Sequence, residues 1–105
     1  MVKDVEEKTF QQEVLLERLP VLAYFQSEWC PSCRSLAPLV DKLSASMEDL
    51  VKVVKIDAIK DQKLAVDHAV LSTPTLIIFK EGKEVKRNLG FLGEGPLRSF
   101  VEKHL

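Results

Sequence analysis

Residues 21–33 read VLAYFQSEWCPSC, and this stretch decides the fold. Its first part, residues 21–25, is an uninterrupted apolar run of strand length, as in a central strand that is covered on both faces. Its last part places Cys30 and Cys33 three positions apart, where the next element begins. The stretch therefore predicts a buried strand that leads straight into a pair of thiols at the start of a helix.

The residues after Cys30 carry the pattern of an amphipathic helix. Their apolar positions recur at steps of four, three and four, which makes one stripe along a helix: Leu36, Val40, Leu43 and Met47. Pro38 falls inside this pattern. We expect it to bend the helix, because proline lacks the N–H that the helical hydrogen bonds need.

The segments on either side alternate between strand and helix patterns. In chain order they are a strand at 2–5, a helix over 10–16, a strand at 51–56, a helix over 60–69, strands at 75–79 and 84–89, and a helix over 95–105. Glu81 and Gly82 fit the turn of a hairpin between the last two strands. This order predicts an α/β sheet with helices on both faces, in which the first three strands are parallel.

The composition is that of a globular protein with one core. The chain has 105 residues, 46% of them apolar and 30% charged, so a single domain over residues 1–105 is expected. Fifteen basic residues nearly balance sixteen acidic ones without a basic block, which argues against nucleic acid as a partner. The charged first eight residues and the lack of about 20 consecutive apolar residues predict a cytoplasmic protein without a membrane span. We expect a monomer.

The cysteine pair carries the chemistry. A thiol at a helix N-terminus lies near unpaired backbone amides, which favour a negative charge, so Cys30 should ionise more readily than a free cysteine. Cys33, one helical turn later, can then resolve a mixed disulfide formed on Cys30. We expect Pro31 and Ser32, between the two thiols, to tune the reduction potential. This exchange needs no metal and no organic cofactor.

At this point the sequence resembles the thioredoxin family. The resemblance lies in Trp29-Cys30-Pro31-Ser32-Cys33, in Thr73-Pro74-Thr75 and in the hairpin at 79–82, and it covers essentially the whole chain. Pro38, Gly82 and Gly90 also fall where that family has its structural proline and glycines. The resemblance implies a thioredoxin fold, with a central mixed five-stranded sheet flanked by four helices.

The resemblance also implies how the protein acts. In that family the proline matching Pro74 is cis and lies against the reactive cysteines, so Thr73 and Pro74 should dock the substrate, with Trp29 flanking the thiolate. The implied activity is reduction of protein disulfides. The implied electron donor is a thioredoxin reductase or a similar flavoprotein.

Three departures from the family pattern bear on mechanism. Pro31-Ser32 replaces the usual Gly-Pro, which suggests a less reducing potential. Tyr24 stands where the family has a buried aspartate and Val53 where it has a lysine, so the usual proton relay is absent and water or Glu28 is left to serve Cys33. The segment from residue 57 to residue 74 is about two residues longer than usual, which predicts an extended helix before Pro74.

Several alternative interpretations stay open. The chain is interpreted first as a disulfide reductase, second as a thioredoxin-fold adaptor with weak redox activity, and third as a more oxidising disulfide oxidase or isomerase. A zinc site would need His68 and His104 beside the cysteines, and inert buried cysteines are a further possibility. Tyr24 is interpreted as a core strand residue, and both histidines as solvated helix residues.

Overall fold

The centre of the fold is a mixed five-stranded sheet, seen in a computed structural model that describes all 105 residues. Its strands are β1 (Lys3–Asp4), β2 (Val21–Gln26), β3 (Lys52–Asp57), β4 (Thr75–Lys80) and β5 (Lys83–Leu89). They lie in the order β1-β3-β2-β4-β5, with the first three parallel and β4 and β5 antiparallel to their neighbours. The predicted sheet and its strand directions are confirmed.

Four helices flank the sheet, as expected. They are α1 (Glu7–Phe10), which continues as a π-helical turn over Gln11–Leu15, α2 (Pro31–Ser46), α3 (Gln62–Asp67) and α4 (Glu94–Glu102). None of the four has both the length and the apolar character that a bilayer crossing requires.

The sheet has a separate apolar core on each face, because side chains along β2 alternate between the two faces. Ala23 and Phe25 point into the core that contains Phe10 of α1. Leu22 and Tyr24 point into the core that contains Leu36 of α2. All of the β2 residues from 21 to 25 are buried, so the central position predicted for this strand is confirmed.

The third helix is shorter than the sequence indicates. The prediction placed a helix over 60–69, whereas α3 has six residues. The carboxylate of Asp57 accepts hydrogen bonds from the backbone N–H groups of Ile59 and Lys60, at 2.9 and 3.0 Å, which holds this segment in a turn. After the helix, Ala69 adopts a left-handed φ of 55°. The longer spacing before Pro74 is therefore taken up by turns, and the expected helix extension is wrong.

The predicted solvation of His68 is also wrong. Its ring lies 4.8 Å from the ring of Phe10 and 5.7 Å from that of Phe79, between α3 and the sheet. Burial lowers the pKa of His68, so this side chain is an aromatic packing element of the core rim. His104, near the C-terminus, is partly buried and its Nδ1 lies 2.7 Å from the carbonyl oxygen of Phe100.

Glycine is required at the hairpin between β4 and β5. Glu81 and Gly82 form the predicted two-residue turn, with φ values of 52° and 80°. A Cβ added to Gly82 would lie 3.0 Å from the backbone oxygen of Leu15, in the π-helical turn. Gly90 also has a positive φ, 93°, but a Cβ there would meet no atom within 4 Å.

These two glycines give a matched pair of variants. Gly90→Ala should lower the free energy of unfolding by about 1 to 2 kcal/mol, because alanine is strained at a positive φ and no clash is added. Gly82→Ala adds a clash with backbone atoms, so we expect it to destabilise the protein by at least about 1 kcal/mol more. Urea unfolding would measure both losses. Equal losses would contradict the contact between the hairpin and Leu15.

Candidate active site

Cys30 lies at the junction between β2 and α2. It is the N-cap residue of α2, with an extended backbone (φ −99°, ψ 109°), and Pro31 takes the first helical position. The Cys30 sulfur accepts the backbone N–H of Cys33, with 3.1 Å between the nitrogen and Sγ. This arrangement places the Cys30 sulfur on the free amides of the helix N-terminus, as the sequence predicts.

The surroundings of Cys30 favour its thiolate. Burial alone would raise the pKa of Cys30, but hydrogen bonds from the Cys33 thiol, from Thr73 and from the amides of Cys33 and Ser32 outweigh it and lower the pKa. In the thiol form, Cys30 Sγ donates instead to the carbonyl oxygen of Thr73, at 3.4 Å. That single bond favours the thiol, and several donors favour the thiolate.

Cys33 has the opposite character. It lies one helical turn after Cys30, on the inner side of α2, with 2% of its surface exposed. Burial, and the hydrogen bond that its thiol gives to the Cys30 sulfur, raise the pKa of Cys33. The two cysteines are unbonded here. One thiol is therefore accessible and easily ionised, while the other is covered and holds its proton.

The loop before β4 closes one side of the cysteine pair. The Thr73–Pro74 peptide bond is cis, as the resemblance implies. The side chains of Ser27 and Thr73 meet at 3.4 Å, and the N–H of Gly90 donates to the carbonyl of Pro74 at 2.8 Å. The carbonyl oxygen of Thr73 lies 3.4 Å from the Cys30 sulfur, so the residue before Pro74 contacts the reactive thiol.

A second anchor of this loop was not foreseen from the sequence. Arg87 on β5 donates from its guanidinium to the carbonyl oxygens of His68 and Ala69, at 2.7 and 3.0 Å. Glu84 holds the same guanidinium through two short hydrogen bonds. The chain that leads to Thr73 is thus tied to an edge strand. An arginine on a strand gave no sequence signal for this contact, because its partners are backbone atoms distant in the chain.

Exposed apolar side chains occur on the segments next to the cysteine pair. Trp29, immediately before Cys30, is 76% exposed. Next to it runs a shallow groove, called here the side groove, which is lined by Ser27 and by neutral residues drawn from 58–66 and 70–73. Its most exposed apolar residues are Ile59, Val66 and Leu71, the last being 94% exposed. The sequence contains one sign of this exposed apolar surface, because Val66 falls outside the stripe formed by Leu64 and Ala65.

The two residues between the cysteines are exposed. Pro31 supplies the fixed φ of the first helical position. Ser32 acts on Cys30 through its backbone amide, which favours the Cys30 thiolate. The amide lies at the helix N-terminus, where it has no helical partner.

Tyr24 lies directly beneath the pair. Its hydroxyl donates to the carbonyl oxygen of Cys33 at 2.7 Å, and its side chain is buried. The interpretation of Tyr24 as a core residue with a hydrogen-bonded hydroxyl is confirmed. Val53 lies in the same core, and Glu28 is exposed and makes no hydrogen bond to Cys33.

The two histidines do not join the cysteines. No cluster of three or more potential metal ligands is formed by histidine, cysteine and acidic side chains anywhere in the structure. The cysteine pair therefore has no protein partners with which to complete a zinc site.

Comparisons with known proteins agree with this geometry. The family model described as Thioredoxin matches residues 1–103. Thioredoxin 1 of Synechococcus elongatus is 40% identical over 101 residues, which cover 96% of this chain and 94% of that protein. A thioredoxin of Pyropia yezoensis is 36% identical, with 99% and 97% covered, and one of Rickettsia prowazekii is 32% identical over the full length of both chains.

The match therefore spans the sheet, the helices and the cysteine pair, whose spacing and geometry fit a dithiol active site. On this evidence of sequence and structure together, the chain belongs to the thioredoxin family of protein-disulfide oxidoreductases.

Proposed function

We propose that residues 1–105 act as one thioredoxin-like domain that reduces disulfide bonds in proteins, with Cys30 as the nucleophile and Cys33 as the resolving thiol. The observation that carries this proposal is the asymmetry of the pair. Cys30 accepts hydrogen bonds at a helix N-terminus and has a lowered pKa, whereas Cys33 is buried and has a raised one. Each thiol is suited to a different step of disulfide exchange.

In the first step the Cys30 thiolate attacks one sulfur of the substrate disulfide. A bond forms between Cys30 Sγ and that sulfur, the substrate S–S bond breaks, and the second substrate sulfur leaves as a thiolate. The amides of Ser32 and Cys33, which stabilise the attacking thiolate, are already in place before the substrate arrives.

In the second step Cys33 loses its proton and attacks the Cys30 sulfur. The Cys30–Cys33 disulfide forms, and the first substrate sulfur leaves with the electron pair. The substrate is then fully reduced and the protein oxidised. Neither step needs a metal or an organic cofactor.

Trp29, Thr73 and Pro74 form the substrate-binding surface in this proposal, together with the side groove. Trp29 and the groove offer exposed apolar area beside Cys30. The carbonyl oxygen of Thr73 lies 3.4 Å from the same sulfur, and Pro74 follows Thr73 across the cis peptide bond. Pro31 and Ser32 set the reduction potential through the backbone at the helix N-terminus.

Regeneration requires an electron donor. The family in general acts on disulfide-containing proteins and is reduced by thioredoxin reductases. We propose a thioredoxin reductase or a similar flavoprotein as the donor of this chain, a monomeric state, and the cytoplasm as the compartment, where thiols are kept reduced.

Replacing each cysteine by serine separates the two roles. Cys30→Ser should abolish reduction of a disulfide-containing protein, because no nucleophile is left. In the Cys33→Ser variant, Cys30 should still attack the substrate disulfide. The reaction should then stop at the mixed disulfide, which adds the mass of the substrate to the protein. A turnover assay and mass spectrometry measure the two results. Full activity of Cys30→Ser would overturn the proposal, and retained partner binding without any turnover in the unmutated protein would favour the adaptor.

The pH dependence of alkylation tests the asymmetry. Because the pKa of Cys30 is lowered, its labelling by iodoacetamide should rise with pH with an inflection below the value of about 8.5 for a free cysteine. Cys33 should stay unlabelled over the same range, since it is buried and its pKa is raised. Cys33→Ala removes a donor to the thiolate and should shift the Cys30 profile upward. A wild-type inflection at or above the free value would contradict the assigned roles.

The reduction potential decides the direction of electron flow. We expect a value on the reducing side of the thiol–disulfide scale but less negative than the about −270 mV of the reference thioredoxin, because Pro31-Ser32 replaces Gly-Pro. Equilibration in dithiol and glutathione buffers, followed by Trp29 fluorescence and thiol content, measures it. Proline after the first cysteine favours the alternative, an oxidase or isomerase, and a value near about −120 mV would establish that alternative.

A further inference from the structure

Tyr24 connects the central strand to the reactive turn of α2. Its hydroxyl donates to the carbonyl of Cys33, at 2.7 Å. The N–H of the same peptide group, on Arg34, donates to the carbonyl of Cys30 at 3.1 Å. A continuous line of hydrogen bonds thus runs from Tyr24 through the peptide that follows Cys33 to the backbone of Cys30. Bonds in such a line polarise and strengthen one another.

The strand end of this line is rigid. Tyr24 is paired in register with Lys55 of β3 and with Leu76 of β4, in the middle of the sheet. Its side chain is buried, so the phenol has little freedom to leave the Cys33 carbonyl. The hydroxyl therefore fixes the first turn of α2, the turn whose Cys33 amide donates to the Cys30 sulfur.

The same hydroxyl is not able to take a proton from Cys33. As a neutral phenol it would have to become a cation, and its ionised form is disfavoured because burial and the two nearby sulfurs raise the pKa of Tyr24. Tyr24 fills the space beneath the dithiol without supplying a base.

No other protein base contacts the Cys33 thiol. Its main influences are its burial, the sulfur of Cys30 on its own helix, the backbone of Ser27 after β2, and Thr73 before β4. Asp41, further along α2, is exposed and acts on Tyr24 by its charge alone. No carboxylate or imidazole from these elements makes a hydrogen bond to the thiol.

Resting on the proposed function, we propose that Tyr24 is a positioning residue that holds the reactive turn in place, and that Cys33 resolves without a protein base. The Cys33 proton passes to solvent, and the resulting thiolate attacks Cys30 Sγ. The bond between Cys30 and the substrate sulfur then breaks, and the electron pair leaves with that sulfur. The lifetime of the mixed disulfide is therefore longest at low pH and falls steadily as pH rises.

Ellman's reagent tests this with the unmutated, fully reduced chain, because both steps release the same coloured thiolate. Attack by Cys30 gives a first phase and resolution by Cys33 a second phase, each of one equivalent. The second rate should increase about tenfold per pH unit between about pH 6 and 8.5, without a plateau. A plateau or an inflection near neutral pH would show a titrating base on the protein and overturn the proposal.

Tyr24→Phe tests the positioning role while keeping the ring in the core. We expect its first phase to slow by about two- to fivefold at neutral pH, because the turn loses one hydrogen-bonded anchor. The slope of the second phase with pH should stay unchanged. An unaltered first phase would refute positioning by the hydroxyl, and a changed slope would make Tyr24 part of the proton transfer.

Ser44→Ala is the matched control, because it removes a buried hydroxyl from α2, about three turns beyond Cys33. Both of its phases should equal those of the unmutated protein.

The number of equivalents released also distinguishes failure of this inference from failure of the proposed function. If the unmutated chain releases fewer than two equivalents, the dithiol mechanism itself fails. Two equivalents with a flat second rate refute only the inference that Cys33 resolves without a protein base.

Discussion

The hydrogen bond from the Cys33 amide to the Cys30 sulfur is the contact on which the site depends. Four residues separate the end of β2 from the start of α2, and the last of them, Cys30, has an extended backbone as the helix cap. A cap residue with a sulfur in place of an oxygen meets the same unpaired amides. The fold thus stabilises the thiolate by hydrogen bonds from the Cys33 thiol, from Thr73 and from the amides of the helix N-terminus.

The two thiols then differ in how far they are buried. Both belong to one helical turn, but α2 turns Cys33 towards the core that holds Leu36 and Tyr24, and leaves Cys30 at the rim. The difference in solvation gives each sulfur its own protonation state. The sheet fixes the position of Tyr24, and Tyr24 holds the Cys33 carbonyl by a hydrogen bond. The geometry of the reactive turn at the surface therefore depends on a residue in the middle of the sheet.

Much of this could be predicted from local pattern. The apolar run at 21–25, the stripe through Leu36 and Val40, and the turn at Gly82 are signals that a few neighbouring residues carry by themselves. The errors concern contacts between distant segments. His68 appeared as a helix residue, but its environment is made by aromatic rings from α1 and β4. Arg87 gave no signal, since it binds backbone oxygens, and α3 was predicted too long because a single carboxylate turn delays its start.

The neutral lining of the side groove has a kinetic consequence. In a chain with 30% charged residues, no charged side chain contributes to this surface beside the reactive sulfur. Recognition within the groove therefore rests on desolvation of apolar area and not on ion pairs with its lining. Contacts made in the groove are then little weakened by salt, and they change how long a partner stays more than how fast it arrives.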